Sequence, residues 1–196
     1  MSKPDPTSAQ KERTKAIHWV VAVFISTILV SGVISLASEE IMSASAMPVA
    51  FIILLVIIFI GILFDIIGVA VTSADEKPFH SMAARKVPGA LEAIRLLRNA
   101  EKVGSICNDV VGDICGVISG SAAATIAAQV LQNFEFSWPR LVSLLMSALV
   151  AGITVGGKAV GKGIAIHSCT KIVHSVGLTI HRFQKLGGIF RRENRK

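Results

Sequence analysis

The sequence has no tyrosine, only two tryptophans and only three cysteines in 196 residues. Trp19 and Trp138 stand at the ends of apolar runs, so no aromatic platform exists on which bases could stack. Nucleic acid is therefore excluded as a partner, despite a net charge of +7. Cys107, Cys115 and Cys169 cannot all pair within one chain, and none shows CxxC or Cys/His spacing. That excludes a disulfide framework and a zinc site. No GxSxG, Walker loop, HExxH or nucleotide fingerprint occurs, and the chain reads as a non-enzyme. The segment GKAVGKG lacks phosphate-loop spacing and follows an apolar run instead of a strand. Charge is also scarce, at 17% of residues against about 25% in soluble domains.

What is present is apolar length. Hydrophobic residues make up 52% of the chain, and they come in runs of about 17–37, 48–72, 105–131 and 138–157. About 20 apolar residues suffice for a helix to cross a bilayer. The expected fold is an all-α membrane protein with about four transmembrane helices and two amphipathic juxtamembrane helices, about 89–103 and 159–186. One transmembrane domain, 16–186, would lie between a disordered tail (1–15) and a basic tail (187–196). Residues 1–37 also resemble a signal peptide ending in Ser35-Leu36-Ala37. The apolar stretch exceeds the usual h-region, which favours an uncleaved helix.

Charge predicts the orientation. All Lys and Arg except Arg140 fall in the N-terminal tail, in 77–102, or from Lys158 onward. By the positive-inside rule, the N-terminus, the 74–104 segment and the C-terminus face the cytoplasm, in the cell membrane. In 89–103, Leu91, Ile94, Leu97 and Val103 form an apolar stripe, with Glu92, Arg95 and Arg98 off it. Ile164, Ile172, Val176, Ile180 and Phe183 give apolar spacing in the second surface helix. His167, His174 and His181 recur every seven residues, about 10.5 Å apart on a helix and too far for one ion, so they read as a polar stripe.

Three carboxylates interrupt the apolar spans: Asp65 in the second, Asp109 and Asp113 in the third. A charge at the bilayer centre costs ~2.5–3.5 kcal/mol on insertion scales, so each needs a proton, a cation or a partner. Asp109 and Asp113 are one helical turn apart, with Ser105 on the same face and the Asn108 amide beside them. Oxygen sets of this kind suit hard cations such as Mg²⁺, and two close carboxylates could instead share a proton. The plainer reading puts Asp109 and Asp113 in headgroup water. Gly112, Gly116, Gly120, Ala124 and Ala128 form a small-residue stripe on the same helix. Span four offers Ser143, Ser147, Ala151, Gly152 and Gly156 opposite it, which predicts a tight helix pair.

Several phrases resemble a known family. GALEAIRLLRNAEKV, FDIIGVAVTSA, the Asn108-Asp109-Val110-Val111 run and Gly157-Lys158-Ala159-Val160-Gly161 are similar to segments of the CNNM/CorC (CorB) magnesium-transporter transmembrane domain, in matching order from about residue 48 to 185. Asp65 stands where that family has a serine, Gly68 where it has a glutamate, and Ala100 where it has a proline. The family's paired CBS domains are not among these segments. The resemblance implies a homodimeric domain that binds dehydrated Mg²⁺ with Ser and Asn oxygens, coupled to Na⁺. Asp65, Asn108 and Asp109 carry over as ion ligands, with Ser105 and Gly152 at further matching positions.

The expectation is therefore a bilayer protein that transports divalent cations, Mg²⁺ first, by alternating access around Asp65, Asn108, Asp109 and Asp113. The competing expectation is a non-transporting scaffold or accessory subunit with a vestigial ion site, working with a separate CBS-domain protein. A third is a proton- or Na⁺-linked transporter of another solute.

Overall fold

A computed structural model describes residues 6–43, 45–133 and 138–193. Among them the chain is helical throughout, without strands. Four helices are long and apolar enough to cross a membrane: Ile17–Ser38, Met47–Ser73, Ala100–Asn133 and Pro139–His167. The protein is an all-α membrane protein. Exposed apolar residues such as Ile52, Phe59, Leu144 and Leu149 cover its outer faces, which contact lipid.

Helix α1 (Pro6–Ser43) reaches back into the expected tail and forward through both glutamates of the expected linker. Residues 1–5 of that tail lie outside the described residues, as do the side chains of the basic tail 187–196. None of the most apolar stretch of α1 is buried. The helix touches α6 and, at its margin, α2. Lys102 stacks over the Trp19 ring at 5.7 Å, fastening α1 to α5 (Ala100–Ser105).

Helix α2 (Met47–Ser73) is the central element and carries Pro48 in its first turn, where a missing N–H costs nothing. Two short helices follow, α3 (Lys77–Ala84) and α4 (Ala90–Arg98). Helix α3 was not expected from the sequence. Helix α4 ends at Asn99, whose Nδ2 donates to the Arg95 carbonyl at 2.9 Å and so competes with the helical ladder. The amphipathic helix is thus shorter than 89–103, and Val103 belongs to α5 (Ala100–Ser105). A π segment, Ile106–Gly112, continues into α6 (Asp113–Asn133). Helix α7 (Pro139–His167) runs well past the expected span end at 157, and α8 (Cys169–Glu193) follows a break at Ser168.

Two hydrophobic clusters flank the middle of α2. One joins Ala50, Leu54 and Ile58 to Ala122, Ala123, Ile126 and Val150. The other joins Ala70 and Val71 to Phe79, Ala93, Ile94, Leu97, Ala165 and Val173, so that α3, α4 and α8 form a platform under the bundle. Within the platform, α4 crosses α8 where Gly89 meets Gly177 and Leu178 backbone to backbone. Gly89 has φ 84°, a conformation open to glycine.

The expected surface stripes are rotated. Leu91 is 61% exposed and Phe183 71%, while Glu92 is buried. Glu92 turns inward because the His181 ring donates to its carboxylate at 2.9 Å. His174 donates to the Pro88 carbonyl at 3.2 Å, and His167 bonds within its own helix to the Gly163 carbonyl at 2.9 Å. Within the histidine row, His181 therefore fastens α8 to α4 and His174 fastens it to the turn before α4.

Candidate functional site

The site lies between the two clusters, where α2 runs antiparallel to the helix Ala100–Asn133. Four positions interlock. A Cβ at Gly61 would come within 2.8 Å of Cys115 Cβ, one at Gly68 within 2.7 Å of Asn108 Cγ, and one at Gly104 within 2.7 Å of Thr72 Cγ2. At the fourth, Asp65 lies over Gly112, its Oδ1 3.8 Å from the point a Cβ there would occupy. Each protruding side chain thus faces a glycine on the other helix.

The π segment keeps this register. Gly104, Asn108 and Gly112 recur every four residues, a stripe that a regular α-helix would rotate by about 40° per step. Slower π winding holds all three against α2. The nearest helix on the other side is α7, which lies parallel to α2, with Gly157 against Ile62 and Gly161 against Ile66.

Asp65 is 4% exposed. Its Oδ2 and the Asn108 Oδ1 are buried, and no protein donor reaches either oxygen. Unsatisfied buried acceptors are uncommon, and a buried carboxylate without compensation costs several kcal/mol. The closest cation is Lys158 of α7. Its Nζ donates to the Gly112 carbonyl at 3.3 Å and approaches Asp113 Oδ1 at 3.9 Å. It also lies 3.3 Å from the same point over Gly112 that Asp65 Oδ1 faces. The Lys158 side chain is 21% exposed, whereas that of Asp113 is 73% exposed. Two carboxylates and one ammonium therefore share the site.

The expected residues separate into three groups. Asp65 and Asp113 approach Gly112 and Lys158, while Asn108 lies against Gly68, one turn along the same seam. Asp109 is exposed and accepts a hydrogen bond from Ser105 Oγ at 2.8 Å, outside the interlocked seam. Gly152 is exposed on α7 with nothing near its Cβ position. Among the described residues no three His, Cys, Asp or Glu side chains group to hold a metal. Lys158 and the Gly112 carbonyl were not expected at the site. The signal that could have found Lys158 was the continuation of α7: Gly157 and Gly161 keep helical spacing across it.

The predicted pairing of glycine stripes does not form. Gly116 and Gly120 of α6, and Gly152 and Gly156 of α7, have open space where a side chain would be. Instead α6 and α7 share the cluster of Val150 with Ala122, Ala123 and Ile126, and a cavity of about 510 Å³ lies beside it. Gly116 and Gly120 line one side, Ala151 and Thr154 the other, and Asp113 and Lys158 one end. Ser119 Oγ donates to the Gly116 carbonyl at 2.9 Å and Thr154 Oγ1 to the Val150 carbonyl at 2.8 Å, so these hydroxyls serve their own helices.

Compared with known families, curated proteins and solved structures, the chain matches none of them.

Proposed function

We propose that this membrane protein moves cations across the bilayer by alternating access at the seam between α2 and the π segment. The observation that carries the reading is the pair of buried oxygens, Asp65 Oδ2 and Asn108 Oδ1, that no protein donor satisfies. Both oxygens lie on helices long and apolar enough to cross a membrane. About 12 Å of helix separates Asp65 from the α2 end at Ser73. A proton would satisfy Asp65, and a small cation in the seam would draw on the unpartnered oxygens.

Charge balance selects the ion. Asp65 and Asp113 against Lys158 leave one negative charge, which a proton or Na⁺ neutralises. Mg²⁺ would leave the centre positive, and it also favours several oxygen ligands with retained waters. The proton- or Na⁺-linked reading is therefore preferred over the Mg²⁺ reading suggested by the family resemblance. The Lys158 ammonium would act as the resident counter-ion, pairing with Asp65 when the cation leaves. A homodimer, a CBS-domain partner, the cell membrane and cytoplasmic termini follow from the sequence expectations alone. The scaffold reading draws on one observation, that Lys158 already partners Asp113 and could close the site to any ion.

Reconstituted vesicles distinguish these readings. With the wild type, an imposed Na⁺ or pH gradient drives cation flux, and Asp65→Asn combined with Asn108→Ala abolishes it. Mg²⁺ flux with the same residue dependence would restore the divalent reading. Absence of flux for all three ions in correctly folded protein would leave the scaffold.

A further inference from the structure

We infer that the cavity between α6 and α7 binds one lipophilic organic cation, its charge at Asp113 and its apolar body along the glycine face of α6. This deepens the reading of the seam as a cation centre and rests on it.

Size, wall chemistry and charge each narrow the occupant. A volume of about 510 Å³ falls in the range of small-molecule pockets, about 300–1,000 Å³. From Asp113 to Gly120 the cavity follows α6 for about 10 Å, the length of a single compact molecule. The hydroxyls of Ser119 and Thr154, which line it, are spent on the carbonyls of their own helices. With Gly116, Gly120, Val150 and Ala151 beside them, the walls are mainly apolar, and Ser147 adds the one further hydroxyl that lines them. An occupant with a polar body would lose more hydration there than one wall hydroxyl replaces. The rim residues Val117 and Val155 are 62% and 66% exposed, so the cavity opens sideways toward lipid, where such molecules partition.

The charged end decides the sign. Asp113 and Lys158 line it, and Asp65 lies behind Gly112, buried and with one oxygen unpartnered. With no proton or Na⁺ in the seam the sum is negative, so a cation entering from lipid gains an ion pair with the exposed Asp113 carboxylate and competes with the seam's own cation. An anionic headgroup would meet two carboxylates for one ammonium. A second copy docking through its own α6, which carries no Lys or Arg, would cover the Asp113 carboxylate without adding a counter-charge. The apolar cation fits where these two do not.

The test uses the full chain in detergent and radiolabelled tetraphenylphosphonium, with tetraphenylborate as an anion of the same shape. We expect saturable binding of one tetraphenylphosphonium per chain, weakened about ten-fold or more by Asp113→Asn, as for loss of one close charge pair. Gly120→Leu fills open space and is expected to weaken it similarly, while tetraphenylborate fails to compete. Equal affinity for the borate, or indifference to both substitutions, overturns the inference. So does a disulfide-linked dimer formed through Gly120→Cys in protein that binds no probe, which would give the groove to a second copy. If the probe fails to bind while Na⁺ or pH still shifts wild-type melting through Asp65, the groove inference falls and the seam reading survives. Loss of both removes both.

Discussion

Replacing Gly68 by alanine tests whether the seam is as closely packed as its geometry implies. The new methyl would fall on the Asn108 amide, with Cγ at 2.7 Å and Nδ2 at 3.1 Å. The whole amide must swing away, at an over-packing cost of about 1–3 kcal/mol. Gly116→Ala is the internal reference, because nothing lies within 4 Å of its added methyl. Both substitutions share the helix-propensity gain of about 1 kcal/mol, so their difference isolates the clash. Unfolding in mixed micelles should place Gly68→Ala about 1–3 kcal/mol below Gly116→Ala. Adding Asn108→Ala to Gly68→Ala should recover most of that deficit, since the obstructing amide is gone. The coupling between the two changes, read from a double-mutant cycle, should exceed about 0.5 kcal/mol. Asn108→Ala alone should be close to neutral in stability, because it removes an acceptor that had no donor. Equal stability of the two alanine variants, or no coupling in the cycle, would refute the interlocked seam and with it the argument for the two buried oxygens.

Other consequences concern the platform. Gly89→Ala combines a left-handed backbone, φ 84°, with contact against the Leu178 backbone, and should cost about 2–4 kcal/mol with early proteolysis of α8. Donation from His181 holds the Glu92 carboxyl below its ordinary value. A depressed carboxylate stabilises the fold above its unfolded pKa, and that contribution fades as pH falls through the folded value. Hydrogen exchange in α4 and α8 should therefore rise only when pH drops below the ordinary carboxylate range, and Glu92→Gln should remove that acid step. Exchange that does not depend on Glu92 would contradict it.

The four spans were legible because lipid demands long apolar runs, a requirement written directly in composition. Their ends were less so. Lys158 and the glycines around it read as the close of the fourth span, yet α7 continues to His167 because Gly161 and Ala165 pack against its neighbours. That continuation is what brings a lysine to the site. Asp65 was legible as a solitary acid in an apolar helix. The separation of Asp109 from it was not, because the π segment depends on how Asn108 and Gly112 dock against Gly68 and Asp65, a tertiary fact. The sequence spacing puts Leu91 on the apolar stripe and Glu92 off it. The order reverses because His181, distant in sequence, supplies the donor that lets the carboxylate turn in.

The alternation of bulk and glycine along the seam also limits how the helices can shift. Sliding α2 by one residue would drive Cys115, Asp65, Asn108 and Thr72 into opposing backbone together, so a ratchet along the helix axis is closed. Tilting about the seam keeps every knob over its own hollow. Under the proposed transport reading, a change of access would be a rocking of one packed half against the other, with Gly112 and Gly68 near the fulcrum.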